Sequence, residues 1–283
     1  MFKKIRIGGV PEHFNFPWIY GINNKIFESY GIEVDWKNYP GGTGAMANSL
    51  KNNELDMAIL LTEGAINFKL QNFPISIHQY YVKSPLIWGI HVNQNSKIDT
   101  IDQVFDKKYA ISRRGSGSHL MAKLHAFEYG KEINEDQFVI VNDIQGAITS
   151  LTESRSDIFF WEKFTTKPYV DAKVLRRIGT FPTPWPCFVM VFRSEFYKAN
   201  LVLIDRLLQI IENIVLTIRQ LPNLSHIIAN EYKLQVNDVE TWLQSVEWAS
   251  NSVIDNLELT RIANILKSAN VVPDFVKDYN FKS

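Results

Sequence analysis

Residues 39–64 read YPGGTGAMANSLKNNELDMAILLTEG, and this stretch decides the fold. A glycine-rich turn at 41–44 opens a helix-forming segment, a polar turn follows, and an apolar run then ends on Thr62 and Glu63. The pattern predicts a turn, a helix and a buried strand in that order. Backbone N–H groups at the start of such a helix favour an anion or a polar acceptor.

A related pattern recurs 101 residues further along the chain. Leu50 stands six residues before Asp56 and its apolar run, and Leu151 stands six residues before Asp157 and a second apolar run. A second glycine turn lies in the segment RRGSGSH at 113–119. The repetition predicts two similar α/β lobes, each presenting a glycine-rich helix start toward a shared cleft.

Composition and charge narrow the class of protein. The 283 residues are 46% hydrophobic, and 30 basic residues balance 30 acidic ones. A general binder of nucleic acid or of anionic membranes needs a basic face, so neither partner is expected. Cys187 is the only cysteine, which excludes an intramolecular disulfide and a cysteine metal cluster.

The start of the chain bears on location. No apolar signal segment precedes the first predicted strand, and no run of eighteen apolar residues occurs. We therefore expect a cytoplasmic protein without membrane insertion. If a signal peptide had been removed, the expected location would be the periplasm.

Strand and helix signals alternate through most of the chain, which favours parallel sheets with right-handed crossovers. Three strands and two helices up to residue 61 form a βαβαβ unit, and the same rhythm returns between 109 and 178. Crossings near 83–90 and 180–187 predict a two-stranded hinge. The segment from Glu195 onward has helical spacing and is expected to return to the first lobe.

Three motifs carry a resemblance to a known family. They are GVPEHFN at 9–15, FWEKFTTKP at 160–168 and TPWPCF at 183–188, and they accompany the Gly-Gly-Thr-Gly helix start. The chain resembles type II periplasmic-binding-protein-like solute receptors, in the branch of alkanesulfonate, taurine and thiamine-pyrimidine-precursor binding proteins. Within that branch it is most similar to a signal-less intracellular subgroup of fungi and bacteria.

The resemblance implies a two-lobed α/β fold, with two βαβ lobes, a two-stranded hinge and C-terminal helices returning to lobe 1. The expected boundaries are 1–88 plus 186–283 for lobe 1 and 89–185 for lobe 2. It also implies reversible closure around a small solute. If the protein were exported, the permease of an ABC transporter would be its partner.

Candidate ligand contacts lie at the ends of predicted strands and the starts of predicted helices. Each has a structural alternative: the glycine turns also suit plain helix caps, and the aromatic residues also suit the core. The candidates are Glu12, His13, Trp18, Gly41, Gly42, Thr43, Gly44, Thr62, Glu63, Arg113, Gly115, Ser116, Gly117, Ser118, Trp161, Glu162 and Trp185.

Charged candidates indicate the ligand class. Either Arg113 or Arg114 suits a carboxylate, sulfonate or phosphate beside a helix start, while the other of the pair is expected on the solvated surface. His13 could donate to the ligand or titrate near neutral pH, or it could be a structural histidine. Glu63 could accept from a ligand N–H or stabilise the start of its own helix.

The leading hypothesis is a binding protein without catalysis, cofactor or metal, since no metal-ligand spacing or nucleophile motif is present. Its ligand is expected to be anionic or heterocyclic. The alternative is a cofactor-biosynthesis enzyme on the same fold, with thiamine-pyrimidine or aromatic-acid chemistry. In that enzyme Glu12, His13 or Glu63 would act as acid or base.

Overall fold

A computed structural model describes residues 2–249 and 254–272, and its internal contacts divide the chain into two units. Of the described residues, unit 1 holds those up to Ser84 and those from Pro186 to Thr260, and unit 2 holds Pro85–Trp185 and those after Thr260. The described residues 261–272 thus group with unit 2, whereas the sequence analysis placed the whole of 186–283 in lobe 1. Hydrogen bonds from Lys123 Nζ to the Asn270 carbonyl and from Arg261 to the Pro184 carbonyl account for this difference.

Ten strands and twelve α-helices are assigned among the described residues. The strands are β1 (Lys3–Gly9), β2 (Ile32–Asn38), β3 (Met57–Leu61), β4 (Ile75–Val82), β5 (Ile87–Asn93), β6 (Tyr109–Ile111), β7 (Phe138–Ile140), β8 (Ile158–Glu162), β9 (Leu175–Pro182) and β10 (Phe188–Arg193). The helices are α1 (Phe16–Asn23), α2 (Ile26–Ser29), α3 (Thr43–Lys51), α4 (Thr62–Leu70), α5 (Gly117–Glu128), α6 (Ile144–Thr152), α7 (Lys167–Asp171), α8 (Ser194–Ala199), α9 (Leu201–Ile218), α10 (Leu224–Tyr232), α11 (Val236–Leu243) and α12 (Asn256–Ser268).

The sheet of unit 1 has the strand order β2-β1-β3-β10-β4. β1 runs parallel to β2 and to β3, as the alternating pattern predicts. β10 is antiparallel to both of its neighbours, so the sheet is mixed rather than parallel. The chain enters β10 at Phe188, which pairs with Leu61 at the carboxyl end of β3, and it must therefore run back toward the amino ends.

The sheet of unit 2 repeats this plan, with the order β7-β6-β8-β5-β9. β6 is parallel to β7 and β8, and β5 is antiparallel to β8 and β9. Here too the antiparallel strand enters at the carboxyl end of its neighbour, since Trp88 pairs with Glu162. The two units therefore share one topology, and the sequence repeat is a structural repeat.

The structural repeat shows which turn of unit 2 corresponds to each turn of unit 1. The 101-residue offset places α3 and β3 opposite α6 and β8, so the counterpart of the turn before α3 is the turn before α6. There Asn142 has a φ of 70° and the Asp143 carboxylate accepts from the Gly146 amide. The turn at 113–118 follows β6, which occupies the position of β1, and it is therefore the counterpart of the loop after β1. The glycine turns are not equivalent to each other.

Each unit has its own hydrophobic core. In unit 1, α9 contributes buried residues at helical spacing, among them Ile204, Leu207, Ile211 and Ile214. In unit 2, Ala147 and Leu151 of α6 pack with Ala110 and Phe159 of the sheet. Within the described ranges, no helix is both long and apolar enough to cross a membrane.

Candidate functional site

The glycine turn of unit 1 is fixed by hydrogen bonds from both sides. The Gly42 amide donates to the Tyr39 carbonyl at 2.9 Å, and the Tyr39 amide donates to the Gly9 carbonyl at 2.9 Å. Gly42 has a φ of 71°, a conformation that glycine adopts without strain, and it begins α3 without a side-chain cap. The first amides of α3 therefore keep their capacity to donate to an acceptor.

The start of α4 lies beside the start of α3, at the carboxyl end of β3. Thr43 Oγ1 accepts from the Leu61 amide at 3.1 Å. A Cβ on Gly64 would come within 2.5 Å of Thr43 Cγ2, so only glycine permits this close approach. Thr62 Oγ1 donates to the Pro186 carbonyl. The hydroxyls of Thr43 and Thr62, predicted as ligand contacts, thus hold the two helix starts in place.

Two acidic candidates of unit 1 differ in exposure. Glu63 lies in the first turn of α4 and is fully buried, and its charge complements the positive end of that helix. Glu12 follows β1 and is half-buried. Gly41 precedes the helix start and is also half-buried, while Gly44 lies within the first turn of α3 and is buried.

His13 is buried among aromatic rings, and its side chain does not titrate near neutral pH. Its ring lies 4.7 Å from that of Phe14 and 4.3 Å from that of Trp242, and only 1% of the residue is exposed. Burial lowers the pKa of His13 to about 3. The predicted titration near pH 7 is therefore wrong, because the charged form would lose its hydration here.

Of the tryptophans predicted to stack on a flat ligand, Trp18 and Trp185 are buried and Trp161 is half-buried. Trp18 is fully buried and stacks on Phe27 at 5.5 Å between ring centroids. Trp161 stacks on Phe159 at 5.3 Å and packs against the core of unit 2. Trp185 is 3% exposed. Trp36 also stacks on Trp18, at 6.1 Å between ring centroids, so the structure favours the core alternative for Trp18 over the predicted ligand contact.

The glycine turn of unit 2 is tied together by its own serine hydroxyls. Ser116 Oγ donates to the Arg113 carbonyl at 2.7 Å, and Ser118 Oγ accepts from the Ser112 amide at 3.1 Å. The two hydroxyl oxygens are themselves 3.1 Å apart. Both hydroxyls therefore shape the turn, and the ligand contacts expected at Ser116 and Ser118 stay predictions.

The side chain of His119, in the first turn of α5, also holds this turn in place. Gly115 has a φ of 74°, and its amide donates to His119 Nδ1 at 3.0 Å. Burial lowers the pKa of His119 to about 4, so the ring is neutral at pH 7 and Nδ1 can accept. Gly117 starts α5, and Ser116 gives this helix no side-chain cap. Its first amides are therefore available to an acceptor.

Arg113 and Arg114 have different environments. The Arg114 guanidinium pairs with the Glu135 carboxylate, donates to the Glu135 carbonyl at 2.7 Å and lies over the Phe138 ring. Arg113 is half-buried, and its Nε has no hydrogen-bond partner among the described residues. No described carboxylate pairs with it. Of the two arginines, only Arg114 is thus paired with a described carboxylate.

Glu162 is the last residue of β8, and its carboxylate accepts hydrogen bonds from the turn that follows. Its carboxylate accepts from the Phe164 amide at 3.0 Å, from the Thr165 amide at 2.7 Å and from Thr165 Oγ1 at 2.8 Å. Only 3% of the residue is exposed, and burial raises the pKa of Glu162 despite these hydrogen bonds. These contacts give Glu162 a turn-capping role, and the ligand contact at this residue stays a prediction.

This capping role gives a stability prediction. We expect Glu162→Ala to lower the free energy of unfolding by about 2–3 kcal/mol, because two buried amides would lose their acceptor. Glu153→Ala is the matched control, since Glu153 and its partner Arg155 are about half exposed. Urea unfolding measures both variants. Equal effects of the two substitutions would contradict the capping role.

The structure thus brings the predicted residues into two groups, one in each unit. In unit 1 the starts of α3 and α4 lie together, and in unit 2 Arg113 lies at the start of α5. Sequence reasoning missed Glu135, which selects Arg114 as the structural arginine from 21 positions away. Within the described ranges, no group of three or more His, Cys, Asp or Glu residues could hold a metal ion.

Comparisons with known proteins agree with this architecture. A family model described as Ca3427-like PBP matches residues 88–181. The Candida albicans CA3427 gene product, which is reported to define a family with the generic periplasmic binding protein fold, has 25% identity and a TM-score of 0.90, with 96% of this chain and 92% of that chain covered. No curated protein matches the sequence.

Two sulfonate-binding proteins share the fold at lower identity. The periplasmic aliphatic sulphonate binding protein SsuA from Escherichia coli has 14% identity and a TM-score of 0.71, with 98% of this chain and 96% of that chain covered. The alkanesulfonate-binding protein SsuA from Xanthomonas axonopodis pv. citri, bound to MOPS, has 14% identity and a TM-score of 0.79, covering 96% and 95%.

These findings establish the class of protein. The chain has the two-lobed periplasmic-binding-protein fold, and its neighbours support a ligand-binding protein in general terms. The resemblance to periplasmic-binding-protein-like solute receptors, expected from the sequence, is confirmed, and the Ca3427-like family model matches residues 88–181 of unit 2.

Proposed function

We propose that this chain is a solute-binding protein for a small organic anion, of which sulfonates and carboxylates are the leading classes. The ligand's oxygens accept hydrogen bonds from Arg113 and from backbone amides at the starts of α3 and α5. The observation that carries the proposal is the half-buried Arg113, whose Nε has no partner among the described residues.

The chemistry of unit 2 favours an anion over a neutral ligand. A guanidinium that is partly removed from water gains most from a charge-assisted hydrogen bond, and a sulfonate or carboxylate matches its planar fork. Burial lowers the pKa of Arg113, but an arginine still carries its charge at neutral pH. The uncapped start of α5 adds a positive helix end next to Arg113.

Unit 1 would supply hydrogen-bond donors to the ligand. None of its predicted ligand contacts is a lysine or an arginine. The amides at the start of α3 follow Gly42, and the absence of a side chain there permits close approach of a ligand. We propose that both units contact one ligand and close around it. The neighbours whose printed names mention sulfonate support this ligand class.

The pKa of His13 argues against the alternative that the chain is an enzyme using His13 as its general base. A general base works best with a pKa near the operating pH, and burial holds the pKa of His13 at about 3. A heterocyclic ligand is likewise less favoured, since Trp18 and Trp161 pack against other rings of their own unit.

A ligand panel tests the proposed class. We expect ethanesulfonate, acetate or a larger anion of the same type to raise the melting temperature, and their neutral counterparts ethyl methyl sulfone and acetamide to have no effect. A ligand present at 100 times its Kd stabilises the native state by about 2.7 kcal/mol. Equal stabilisation by charged and neutral members of each pair would contradict an anion site.

Closure gives a separate prediction. We expect a saturating anion from the panel to reduce the radius of gyration measured by small-angle X-ray scattering, because one ligand would engage donors of both units. Arg113→Ala at the same anion concentration is the control and should keep the unliganded value. An unchanged radius for the saturated wild-type protein would contradict closure while leaving binding itself intact.

A further inference from the structure

A cavity of about 230 Å³ is lined entirely by residues of unit 1. It is formed by the loop after β1, the end of β2 and the end of α10, and none of its lining residues belongs to the predicted ligand contacts. Its volume corresponds to roughly seven water molecules at about 30 Å³ each, which is enough for a small organic molecule.

Asn15 presents a buried acceptor to this cavity. Its Nδ2 donates to the Val10 carbonyl at 2.8 Å, which fixes the orientation of the amide. Its Oδ1 has no hydrogen-bond partner among the described residues, although only 1% of Asn15 is exposed. A buried carbonyl oxygen without a donor is costly, so a donor from a bound molecule would restore the lost hydrogen bond.

Tyr232 presents a second buried polar atom. It is the last residue of α10, it lines the cavity, and its hydroxyl has no partner in the described part of the chain. Burial and the nearby carboxylates of Glu231 and Glu12 raise the pKa of Tyr232, so the group is a neutral phenol at pH 7. It can donate to a ligand or accept from one.

The surroundings of these two atoms favour a cation that carries N–H donors. Glu231 lines the cavity and is exposed to solvent, and the carboxyl end of α10 adds partial negative charge. The indole of Trp36 also lines it and offers an aromatic face to a cation. Lys233 is the one cationic side chain in the described lining, and it is exposed to solvent.

Gly9 lets two residues that line the cavity, Trp36 and Asn15, pack closely against the backbone. A Cβ at this position would lie 2.4 Å from the Trp36 ring and 2.8 Å from Asn15 Nδ2, so the absence of a side chain lets the indole and the amide pack over the same backbone position. Trp36 Nε1 is bound to Asn38 Oδ1 at 2.9 Å, which fixes the indole further.

We propose that this cavity of unit 1 is a binding site for a small organic ammonium ion, whose N–H groups donate to Asn15 Oδ1 and Glu231 beside the Trp36 indole and whose alkyl part lies against Val10 and Ile19. The site is distinct from the anion contacts proposed at the starts of α3 and α5.

The test uses butylammonium and its neutral counterpart butan-1-ol with the full-length chain. ¹H–¹⁵N NMR is expected to show saturable shifts of the Trp36 indole and Lys233 amide signals with butylammonium, and at least tenfold weaker binding of butan-1-ol. No saturable shift with butylammonium, or equal affinities of the two compounds, would overturn the proposal. In the first case the cavity holds water only.

Variants assign the binding to these side chains. Glu231→Gln should weaken butylammonium binding about tenfold, and Tyr232→Phe about fivefold. Glu212→Gln on α9 removes the same charge from a residue that does not line the cavity and should leave the affinity unchanged. Equal affinities of Glu231→Gln and Glu212→Gln, both folded by their NMR spectra, would overturn the assignment. Failure of the anion panel would not affect this outcome.

Discussion

Asp56→Ala is expected to lower the free energy of unfolding by about 3–5 kcal/mol, the typical cost of breaking a buried ion pair. Asp56 is 5% exposed and accepts from the Arg6 amide, from Arg6 Nε at 3.0 Å and from a terminal Arg6 nitrogen at 2.7 Å. Arg193 approaches the same carboxylate at 3.5 Å. Removal of the carboxylate would leave two partly buried guanidinium groups without it.

The pH dependence of this effect follows from the pKa of Asp56. Burial acts to raise it, but hydrogen bonds and charge from Arg6, with a contribution from Arg193, outweigh burial and hold the pKa below its ordinary value of 3.8. The carboxylate therefore stabilises the fold fully above the unfolded-state pKa, and this contribution is lost as the pH falls through the lower folded-state pKa. The difference between wild type and variant should be constant near pH 7 and shrink below pH 4.

Asp35→Ala is the matched control. Asp35 pairs with Lys4 at 3.0 Å, but both side chains are about half exposed, so water screens this ion pair and its removal should change the stability little. Denaturant unfolding at pH 7 measures both variants. A loss for Asp56→Ala as small as that for Asp35→Ala would show that the buried cluster does not hold β1 and β3 together.

Arg113→Ala is expected to weaken binding of the anion selected by the panel by about 1.5–3 kcal/mol, equivalent to roughly ten- to a hundredfold in Kd. The guanidinium of Arg113 would no longer donate to the ligand, while the serine hydroxyls and His119 would still shape the turn. Arg113→Lys should give an intermediate loss, since the charge is kept but the planar fork is removed.

Arg114→Ala is the matched control for Arg113→Ala, because the two arginines are neighbours in the sequence but have different side-chain partners. The Arg114 side chain is occupied by Glu135 and Phe138, so its removal should change the affinity by less than about threefold. Isothermal titration calorimetry measures all three variants. A larger loss for Arg114→Ala than for Arg113→Ala would reverse the assignment made from the structure.

Local patterns were sufficient to predict much of the fold. Helix and strand periodicity up to residue 61 predicts β1, β2 and β3 in a parallel arrangement, which the structure confirms. The antiparallel direction of β10 could not be predicted in the same way. It depends on where the chain re-enters the sheet, and this is a property of the packed unit rather than of residues near β10.

The candidate site depends even more than the sheet on contacts between residues that are distant in the sequence. Sequence reasoning found both glycine turns and named Arg113, rather than Arg114, as a candidate ligand contact. The physical reason for that choice was not visible in the sequence, because it depends on Glu135 pairing with Arg114 within unit 2. In the same way, Trp18 and Glu162 have side chains suited to ligand contacts, and their actual partners become visible only when the core and the turn are assembled.

Native mass spectrometry of the full-length protein, titrated with the anion selected by the panel and followed by analysis of the released small molecule, tests the central claim most directly. The account predicts one anion per chain, recovered chemically unchanged after long incubation, and loss of the bound species in Arg113→Ala. Failure of every anion to form a one-to-one complex would contradict the account, as would recovery of a converted product.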